Sequence, residues 1–340
     1  MALREQLGFG VVGTGGIARD FTRALERSPR CRVVSVTGSS FEKARAFQAE
    51  FALAGSAESL SALLSDQRVD AVYIASPHPF HEAQAIECLR AKKAVLCEKP
   101  LTLDAAACER VLDVARGEGV FLMEGFMYRC HPLLRELVER VRAGAIGELL
   151  HVRADFGFRA ARNPEGRLFA PRLGGGAIFD VGGYPASFAR LVAGLAEGAP
   201  FAEPVRLSAW GKLGPTGVDE LAGARLAFTS GFTAELGCAV SYELGTRAVL
   251  FGEKGRIELP NPWIPSGDRH ALRSELTVFR DGAAPETVRV DTERAVYALE
   301  AELVAETLPA IEAPWPAMGW ADSLGNARVL DAWRSALVRG

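Results

Sequence analysis

Gly10-Val11-Val12-Gly13-Thr14-Gly15-Gly16-Ile17-Ala18 is the stretch that decides the fold of the first part of this chain. Its apolar run predicts a β-strand, its glycines predict a turn, and a helical pattern follows. In such a turn the first glycine permits the tight bend, and the second lets the backbone approach a pyrophosphate at the helix N-terminus. A glycine turn alone also occurs in proteins that bind no nucleotide, but its place at the start of a βαβ pattern favours a dinucleotide. We therefore predict Gly13, Thr14, Gly15, Gly16 and Ile17 as cofactor-binding residues.

The same alternation of short apolar runs and helical segments continues to about residue 122. Strands are predicted at residues 8–12, 32–36, 71–75, 94–97 and 120–123. Helices are predicted between them, one beginning after Ser40 as N-cap and another at residues 82–91. Repeated βα units form a parallel sheet covered on both faces. The fold class predicted here is α/β, with an N-terminal doubly wound Rossmann domain at residues 1–124.

The pattern changes after Pro132. A charged amphipathic helix at residues 133–142 ends at Gly144 and is followed by β-type runs joined by Gly- or Pro-bearing turns. These runs lie at residues 149–158, 207–211, 224–228, 233–242, 247–251, 256–259 and 276–279, and two helices follow at 296–308 and 323–338. We predict that residues 125–340 form a substrate-binding and oligomerisation α+β domain with a large, mostly antiparallel open sheet. Whether the last helix packs back on the first domain is left open.

Composition excludes several classes of protein. The 340 residues are 49% hydrophobic and 24% charged, and the net charge of -3 argues against nucleic acid or a membrane surface as a partner. The six cysteines form no C-x-x-C pair, which predicts buried free thiols and no metal site. The first seven residues lack the pattern of a secretory signal. We expect a cytoplasmic protein with a small-molecule partner.

The turn after the second strand, Thr37-Gly38-Ser39-Ser40, decides which nicotinamide cofactor is preferred. An acidic residue at this turn would bind the ribose 2′-hydroxyl of NAD and repel the 2′-phosphate of NADP. No carboxylate is present, and Ser39, Ser40 and Lys43 could receive a phosphate. We predict NADP as the preferred cofactor, with NAD possible. Ser40 acting only as a helix cap is the alternative.

The predicted catalytic residues lie in two distant segments. In Val95-Leu96-Cys97-Glu98-Lys99-Pro100 an apolar strand ends at an ammonium, at the edge where open α/β sheets bind ligands. The segment from Gly174 to Tyr184 begins with three glycines and continues as a predicted helix with Asp180 and Tyr184 on one face. Tyr184 would take the proton of a substrate hydroxyl, Lys99 would favour its phenolate form, and Asp180 would accept a hydrogen bond from the hydroxyl.

Two histidines and one short segment are further candidates for the site. In Pro77-His78-Pro79-Phe80-His81 no ligand pattern accompanies the histidines, so we predict a site-wall role for His81 and surface exposure for His78. Residues 128–132 follow a strand end and would line the cleft, although ordinary packing is nearly as well supported.

Taken in order, the motifs resemble one family over nearly the whole chain. The chain resembles the Gfo/Idh/MocA oxidoreductases, and its tyrosine at position 184 resembles the branch of dimeric dihydrodiol dehydrogenase, NADP-dependent xylose dehydrogenase and glucose-fructose oxidoreductase. The motifs are Gly13-Thr14-Gly15-x-Ile17-Ala18, Pro77-x-x-x-His81, Glu98-Lys99-Pro100, Met123-Glu124-x-Phe126-Met127-Tyr128-Arg129-x-His131-Pro132, Gly174 to Tyr184, and Asp322-Ser323-Leu324-x-Asn326 with Leu330-Asp331-x-Trp333-Arg334.

The resemblance implies a two-domain enzyme with Lys99 and Tyr184 as the catalytic pair and Asp180 positioning a sugar hydroxyl. We further predict Pro77, His81, Glu98 and Lys99 at the cofactor, and Lys99, Tyr128, Arg129, Phe158, Asp180 and Tyr184 at the substrate. The resemblance also implies dimers through the open face of the second sheet. Relatives in this branch often carry arginine where Ser39 stands, which weakens the implied selectivity for NADP.

The function predicted from the sequence is hydride transfer between a nicotinamide cofactor, preferably NADP, and a sugar or cyclic polyol. A keto-sugar reductase that uses the same residues in the reverse direction is the first alternative. A non-catalytic nucleotide-sensing regulator of the same fold is the second. We expect a homodimer or a tetramer of dimers.

Overall fold

The computed structural model describes residues 6–265 and 273–339 of the chain. The chain divides into two compact units. Unit 1 comprises the residues up to Thr102 together with Ala106–Cys130 and Glu293–Ser323, and unit 2 comprises Leu103–Ala105, His131–Thr292 and the residues from Leu324 on. The division into residues 1–124 and 125–340 stays a prediction, since Glu293–Ser323 groups with unit 1.

Unit 1 is built on a six-stranded parallel sheet with the strand order β3-β2-β1-β4-β5-β6. This order reverses direction between β1 and β4, and the carboxyl ends of these two strands therefore form the crevice in which such sheets bind ligands. The strands are β1 (Leu7–Val12), β2 (Cys31–Thr37), β3 (Gly55–Ser56), β4 (Ala71–Ile74), β5 (Ala94–Glu98) and β6 (Leu122–Gly125). The helices are α1 (Gly16–Leu25), α2 (Phe41–Glu50), α3 (Leu60–Ser65), α4 (His81–Arg90), α5 (Ala105–Glu118) and α8 (Val296–Thr307).

Local sequence explains most of these elements. The five strands predicted for this region are confirmed, with ends that differ by at most two residues. Ser40 caps α2, because its side-chain oxygen accepts a hydrogen bond from the backbone N–H of Lys43 at 3.3 Å. The two-residue strand β3 was not predicted, since an element that short has no periodic pattern.

Unit 2 contains a nine-stranded sheet in which β7 and β10 are parallel and the other pairs are antiparallel. Eight strands follow the order β15-β14-β13-β12-β7-β10-β9-β8, and β11 pairs with β7. The strands are β7 (Leu149–Arg159), β8 (Arg206–Leu213), β9 (Asp219–Ala227), β10 (Thr233–Ala239), β11 (Ser241–Gly245), β12 (Ala248–Gly252), β13 (Gly255–Leu259), β14 (Arg273–Arg280) and β15 (Glu286–Asp291). The helices are α6 (Pro132–Arg142), α7 (Gly183–Glu197) and most of α9 (Trp320–Arg339). The mostly antiparallel sheet is confirmed.

Three details of unit 2 differ from the prediction. The strand β9 begins at Asp219, five residues before the predicted start, because its first residues are charged although they are buried. The predicted run 233–242 is broken into β10 and β11. The strand β15 was not predicted, since its alternation of charged and apolar residues is short.

The strand β10 shows how the two faces of this sheet differ. Ala234, Leu236 and Cys238 are buried, whereas Thr233 is exposed and Glu235 is half-buried on the opposite face. From Thr233 to Cys238 this is the alternation of a strand with one covered face, and Ala239 at the strand end is buried as well.

The prediction of free thiols agrees with the structure at all six cysteines. Five are buried, Cys130 is half-buried, and all six are free thiols. Burial raises the pKa of the Cys31 and Cys88 thiols to about 12, so neither is a reactive thiolate at neutral pH. Across the described residues, no helix is long and apolar enough to cross a bilayer, and no group of His, Cys, Asp and Glu is placed to hold a metal ion. The expectation about a signal segment concerns residues 1–7, of which residues 1–5 lie outside the described residues.

Candidate active site

The glycine turn after β1 is shaped to receive a phosphate group. Gly13 has a φ of +115°, and a Cβ at this position would lie 2.7 Å from the carbonyl oxygen of Ala75, so glycine lets the turn pass close to the end of β4. Gly15 and Gly16 are exposed, and a Cβ on either would meet nothing within 4 Å. The N-terminus of α1 has no side-chain cap, and its first N–H groups remain available to an anion. These features fit the pyrophosphate of a dinucleotide.

The end of β2 presents a small polar cluster. The Nζ of Lys43 donates a hydrogen bond to the Oγ of Ser39 at 3.1 Å, and both residues are exposed. Ser40 is both the helix cap that the alternative predicted and a neighbour of this cluster. A Cβ on Gly38 would lie 3.0 Å from the Cγ2 of Thr14, which makes this position tight for any larger residue. The cluster combines a cation with two hydroxyls and fits a phosphate monoester.

Lys99 lies directly after β5, at the carboxyl edge of the parallel sheet, and is half-buried. Its neighbour Glu98 points into the interior, where its Oε1 accepts a hydrogen bond from the Tyr73 hydroxyl at 2.5 Å. The ring of Tyr73 stacks on Phe21 of α1, with ring centroids 3.8 Å apart. The strand end that carries Lys99 is therefore fixed by buried contacts, and the predicted cofactor role of Glu98 stays a prediction.

His81 ties the ends of two neighbouring strands together. Its Nδ1 lies 2.9 Å from the carbonyl oxygen of Pro100 and its Nε2 lies 2.8 Å from that of Ser76. Burial lowers the pKa of this ring, and the two carbonyl contacts partly oppose that effect. His81 is fully buried, so the structure gives it a role in positioning the segment next to Lys99 rather than in forming an exposed wall. His78 is half-buried, which corrects the expectation of surface exposure, and Pro77 is exposed.

A buried acid near this strand end was missed from the sequence. Glu300 of α8 is fully buried, and neither of its oxygens has a hydrogen-bond partner among the described residues. Burial, and then the charge of Glu98, raise the pKa of Glu300 well above its ordinary value. The signal was present in the sequence, because Glu300 stands four residues after Val296 and four before Val304, on the apolar stripe of the helix.

Tyr128 and Arg129, predicted at the substrate, lie in the interior of unit 1. The Nη2 of Arg129 donates to the Oδ2 of Asp322 at 2.5 Å and contacts the sulfur of Met318 at 3.2 Å. Arg129 is 1% exposed and Tyr128 is 2% exposed. These contacts favour the packing alternative for both residues.

In unit 2 the predicted helix that carries Asp180 and Tyr184 is present, but it starts differently. Residues Ile178–Gly182 form one turn of π-helix, which leads directly into α7. Short π-helical turns are rare and are frequent at functional sites. Asp180 and Tyr184 are each 4% exposed and stand about one turn apart.

An aromatic cluster fixes the ring of Tyr184. The ring meets Phe156 edge-on at a centroid distance of 5.2 Å and lies 6.1 Å from the ring of Trp263. Trp263 is fully buried, and its Nε1 donates to the carbonyl oxygen of Asp155 at 2.9 Å. Phe158, predicted at the substrate, is half-buried on β7 two residues beyond Phe156. Sequence reasoning missed Phe156 and Trp263, which are distant from Tyr184 in the chain.

The π-helical turn is anchored by Asp219, which was also missed. Its Oδ2 accepts a hydrogen bond from the backbone N–H of Ile178 at 2.7 Å. Gly176 has a φ of +121°, and a Cβ at this position would lie 2.3 Å from the Oδ1 of Asp219, so the close approach of this carboxylate requires glycine. Burial raises the pKa of Asp219 from 3.8 to about 6.

Asp180 itself has a charged partner that the sequence did not reveal. The Nη1 of Arg167 donates to the Oδ1 of Asp180 at 2.5 Å. This ion pair holds the carboxylate predicted to accept a hydrogen bond from the substrate. Nothing in the spacing of thirteen residues between the two predicts the contact.

Comparison with known proteins agrees with this geometry. Residues 7–126 match the model of the Gfo/Idh/MocA oxidoreductase family with its NAD-binding Rossmann fold, and residues 134–258 match the C-terminal domain of the same family. Among curated proteins, the chain is 34% identical over 268 residues to the trans-1,2-dihydrobenzene-1,2-diol dehydrogenase of Mus musculus. That match covers 78% of this chain and 77% of the relative.

Two solved structures share the whole fold. A 3-ketoreductase from Actinomadura kijaniata in complex with NADP and TDP-benzene is 28% identical, with a TM-score of 0.85, and the match covers 98% of each chain. An aldose-aldose oxidoreductase from Caulobacter crescentus in complex with glycerol is 25% identical, with the same TM-score and coverage. The predicted family and its tyrosine-containing branch are confirmed. The chain belongs to the Gfo/Idh/MocA family and is an NAD(P)-dependent oxidoreductase.

Proposed function

We propose that the protein is an NADP-preferring dehydrogenase or reductase that acts on a vicinal hydroxyl or the corresponding carbonyl of a sugar or cyclic polyol. The observation that carries this proposal is the placement of Asp180 and Tyr184, a carboxylate and a phenol about one turn apart at the start of α7. A carboxylate that accepts a hydrogen bond from a hydroxyl, beside a group that takes its proton, is what oxidation of an alcohol requires.

The roles of the residues follow from their chemistry. A bound nicotinamide ring supplies the hydride acceptor in oxidation and the hydride donor in reduction. Tyr184 takes the hydroxyl proton in oxidation and returns it in reduction, and its ring is held in place by Phe156 and Trp263. Asp180 orients a substrate hydroxyl. The role assigned to Lys99 is to favour the phenolate form of the tyrosine, because a cation placed close to a phenol stabilises its anion.

The preference for NADP rests on the end of β2. Lys43 and Ser39 lie within hydrogen-bond distance of each other, and Gly38 places no carboxylate there to repel a 2′-phosphate. The 3-ketoreductase of the same fold was crystallised with NADP, which agrees with this proposal. Gly13, Gly15, Gly16 and the N-terminus of α1 would hold the pyrophosphate.

The substrate class is supported by the relatives. One is a diol dehydrogenase by name, and the two structural neighbours are a 3-ketoreductase and an aldose-aldose oxidoreductase. The name of the 3-ketoreductase favours reduction of a keto-sugar as the second candidate direction. The same residues serve both directions, and the cellular ratio of oxidised to reduced cofactor decides between them.

The test is a substrate panel assayed by the absorbance of the nicotinamide. Aldoses, inositols, trans-dihydrodiols and keto-sugars are each tested with both cofactors in both directions, and Lys99→Met serves as the inactive control. We expect NADP-dependent turnover of at least one vicinal diol or its keto form. Tight cofactor binding without turnover of any compound in the panel would instead favour the regulator.

We also propose that the chain forms homodimers through the outward face of the sheet in unit 2. This face carries two exposed large side chains, Trp210 on β8 at 54% and Phe251 on β12 at 37%. Arg225 lies over the Trp210 ring and pairs with Glu235 at 3.0 Å, so the face mixes aromatic rings with charge pairs. Aromatic residues and arginine are enriched in protein interfaces.

A further inference from the structure

The loop between β7 and the π-helical turn carries three arginines with different partners. Arg162 pairs with the buried Glu220, and Arg172 pairs with the exposed Glu165 at 2.7 Å. Arg167 pairs with Asp180, the carboxylate that the proposed function places at a substrate hydroxyl. Only Arg167 of these three contacts a residue proposed to bind the substrate.

The backbone around Arg167 is firmly held. The N–H of Gly176 donates to the carbonyl oxygen of Leu168 at 3.0 Å, and the N–H of Gly175 donates to that of Ala170 at 3.1 Å. Phe169 is buried directly after Leu168. These contacts fix the loop to the glycine segment that precedes Asp180. Arg167 is thus a positioned group on rigid backbone, which is what a binding site requires.

The side chains of the pair differ in their exposure. The Arg167 side chain is 54% exposed, whereas that of Asp180 is 6% exposed. The guanidinium therefore reaches the carboxylate from the solvent side. It carries five N–H donors in a planar fork, and the contact with the Oδ1 of Asp180 uses one of them. The guanidinium thus carries further N–H donors beside the one that contacts Asp180.

A carboxylate beside a guanidinium can bind two adjacent oxygen atoms of one molecule. The carboxylate accepts a hydrogen bond from a hydroxyl, and the guanidinium donates one to the oxygen on the neighbouring carbon. Because both protein groups are charged, each of these hydrogen bonds is stronger than a neutral one. The pair thus fits a ligand with a hydroxyl that donates to the carboxylate and, on the neighbouring carbon, an oxygen that accepts from the guanidinium.

We propose that Arg167 is a specificity-determining residue that donates to the oxygen next to the hydroxyl bound by Asp180. Together the two side chains select neutral vicinal diols and the matching hydroxy-ketones. This inference rests on the proposed function, since that function places Asp180 at the substrate.

The test compares a vicinal diol that the panel identifies with its deoxy analogue, which lacks only the adjacent hydroxyl. Arg167→Gln is expected to raise the KM for the diol by about 10- to 100-fold, the size of a lost hydrogen bond to a charged group, with a much smaller change in kcat. For the deoxy analogue the change is expected to stay below about threefold. Arg167→Lys should recover part of the loss. Arg172→Gln is the matched control from the same loop and should change the KM for neither substrate.

Each other result decides against the proposal. Equal losses with the diol and the deoxy analogue would show that Arg167 acts only by holding Asp180 or the loop. A loss confined to substrates with a carboxylate or phosphate group would show that Arg167 binds an anion. If Arg167→Gln lowers the melting temperature, the diol and its deoxy analogue are compared with Arg167→Lys instead, because this variant retains the positive charge.

Equilibrium binding separates this inference from the proposed function. Sugar titrations of the NADP complex, followed by tryptophan fluorescence, give a Kd for each compound without any need for turnover. The wild type could bind the diol selectively without turning it over, and Arg167→Gln could abolish that selective binding. This result would support the diol site and overturn the enzymatic function. Turnover by the wild type with unchanged selectivity in the variant would overturn the inference alone, and absence of both binding and turnover would overturn both.

Discussion

Asp219→Asn should change how the stability of unit 2 depends on pH. The carboxylate of Asp219 is buried under the π-helical turn and accepts a hydrogen bond from Ile178. Its pKa is raised from 3.8 to about 6, mainly by burial. Between these two pH values the folded state binds a proton more tightly than the unfolded state. The stability that this proton contributes is fully present below about pH 3.8 and is lost as the pH rises through about 6.

The size of the effect follows from linkage. A rise from 3.8 to about 6 corresponds to about 3 kcal/mol in total, at about 1.4 kcal/mol for each unit of pKa. Between about pH 4.5 and pH 7, where the protein can be measured without general acid unfolding, about 2 kcal/mol of this remains. Asparagine is neutral at every pH, so the variant lacks the titration. The free energy of unfolding of the wild type minus that of Asp219→Asn should fall by about 2 kcal/mol across this range.

Urea unfolding followed by tryptophan fluorescence, repeated at several pH values, measures this difference. Asp281→Asn is the control, because Asp281 belongs to the same unit and is exposed. The difference from the wild type should change with pH more for Asp219→Asn than for Asp281→Asn. An equal dependence on pH in the two variants would refute the assignment of a raised pKa to Asp219.

The other predictions concern cofactor, catalysis, a buried acid and assembly. Lys99→Met and Tyr184→Phe should each lower kcat by about 10²- to 10⁴-fold with little change in cofactor Kd. If steady-state kinetics give a wild-type kcat for either variant, the substituted residue has no part in the mechanism. Gly38→Asp should shift the ratio of kcat/KM values toward NAD, whereas Gly38→Ala, the steric control, should not; a wild-type preference for NAD would contradict the proposed cofactor. Glu300→Gln should stabilise the protein increasingly as the pH rises above 4.5, the ordinary pKa of a glutamate, by up to about 1.4 kcal/mol per pH unit, because the wild type takes up a proton on folding. Urea unfolding measures this gain, and Glu306→Gln on the same helix is the control. A free energy of unfolding that shows no pH-dependent gain in Glu300→Gln would contradict the prediction. Light scattering after size exclusion should give twice the chain mass of 36.4 kDa, and a monomer would exclude the proposed interface.

Much of unit 1 could be predicted because its signals are local. A glycine turn between a strand and a helix, repeated βα spacing and a serine cap each lie within a few residues of the structure they specify. The strand end at Lys99 was predicted for the same reason, since the apolar run stops at a charged pair. His81 was assigned to the site from its motif, but its two bonds to carbonyl oxygens across neighbouring loops depend on the packed sheet.

The parts that were missed depend on contacts between distant residues. Asp219 and Ile178 are 41 positions apart, and Trp263 is farther still from Tyr184. No periodicity connects such positions, because the burial of a carboxylate is decided by how β9 lies against the π-helical turn. Glu300 was the exception, since its place on an apolar helix stripe was readable and was passed over.

The constraints on Asp180 in unit 2 explain how specificity can be built in this chain. Gly176 and Asp219 fix the backbone of the π-helical turn through main-chain contacts. These contacts support the turn in the same way for every substrate, so they do not distinguish one substrate from another. Arg167 instead contacts Asp180 through its side chain, from the loop that follows β7. The cluster proposed to select the cofactor phosphate lies at the end of β2 in unit 1, on different elements again. Preference for cofactor and preference for substrate are therefore separable, and substitutions at Arg167 should alter the second while leaving the first unchanged.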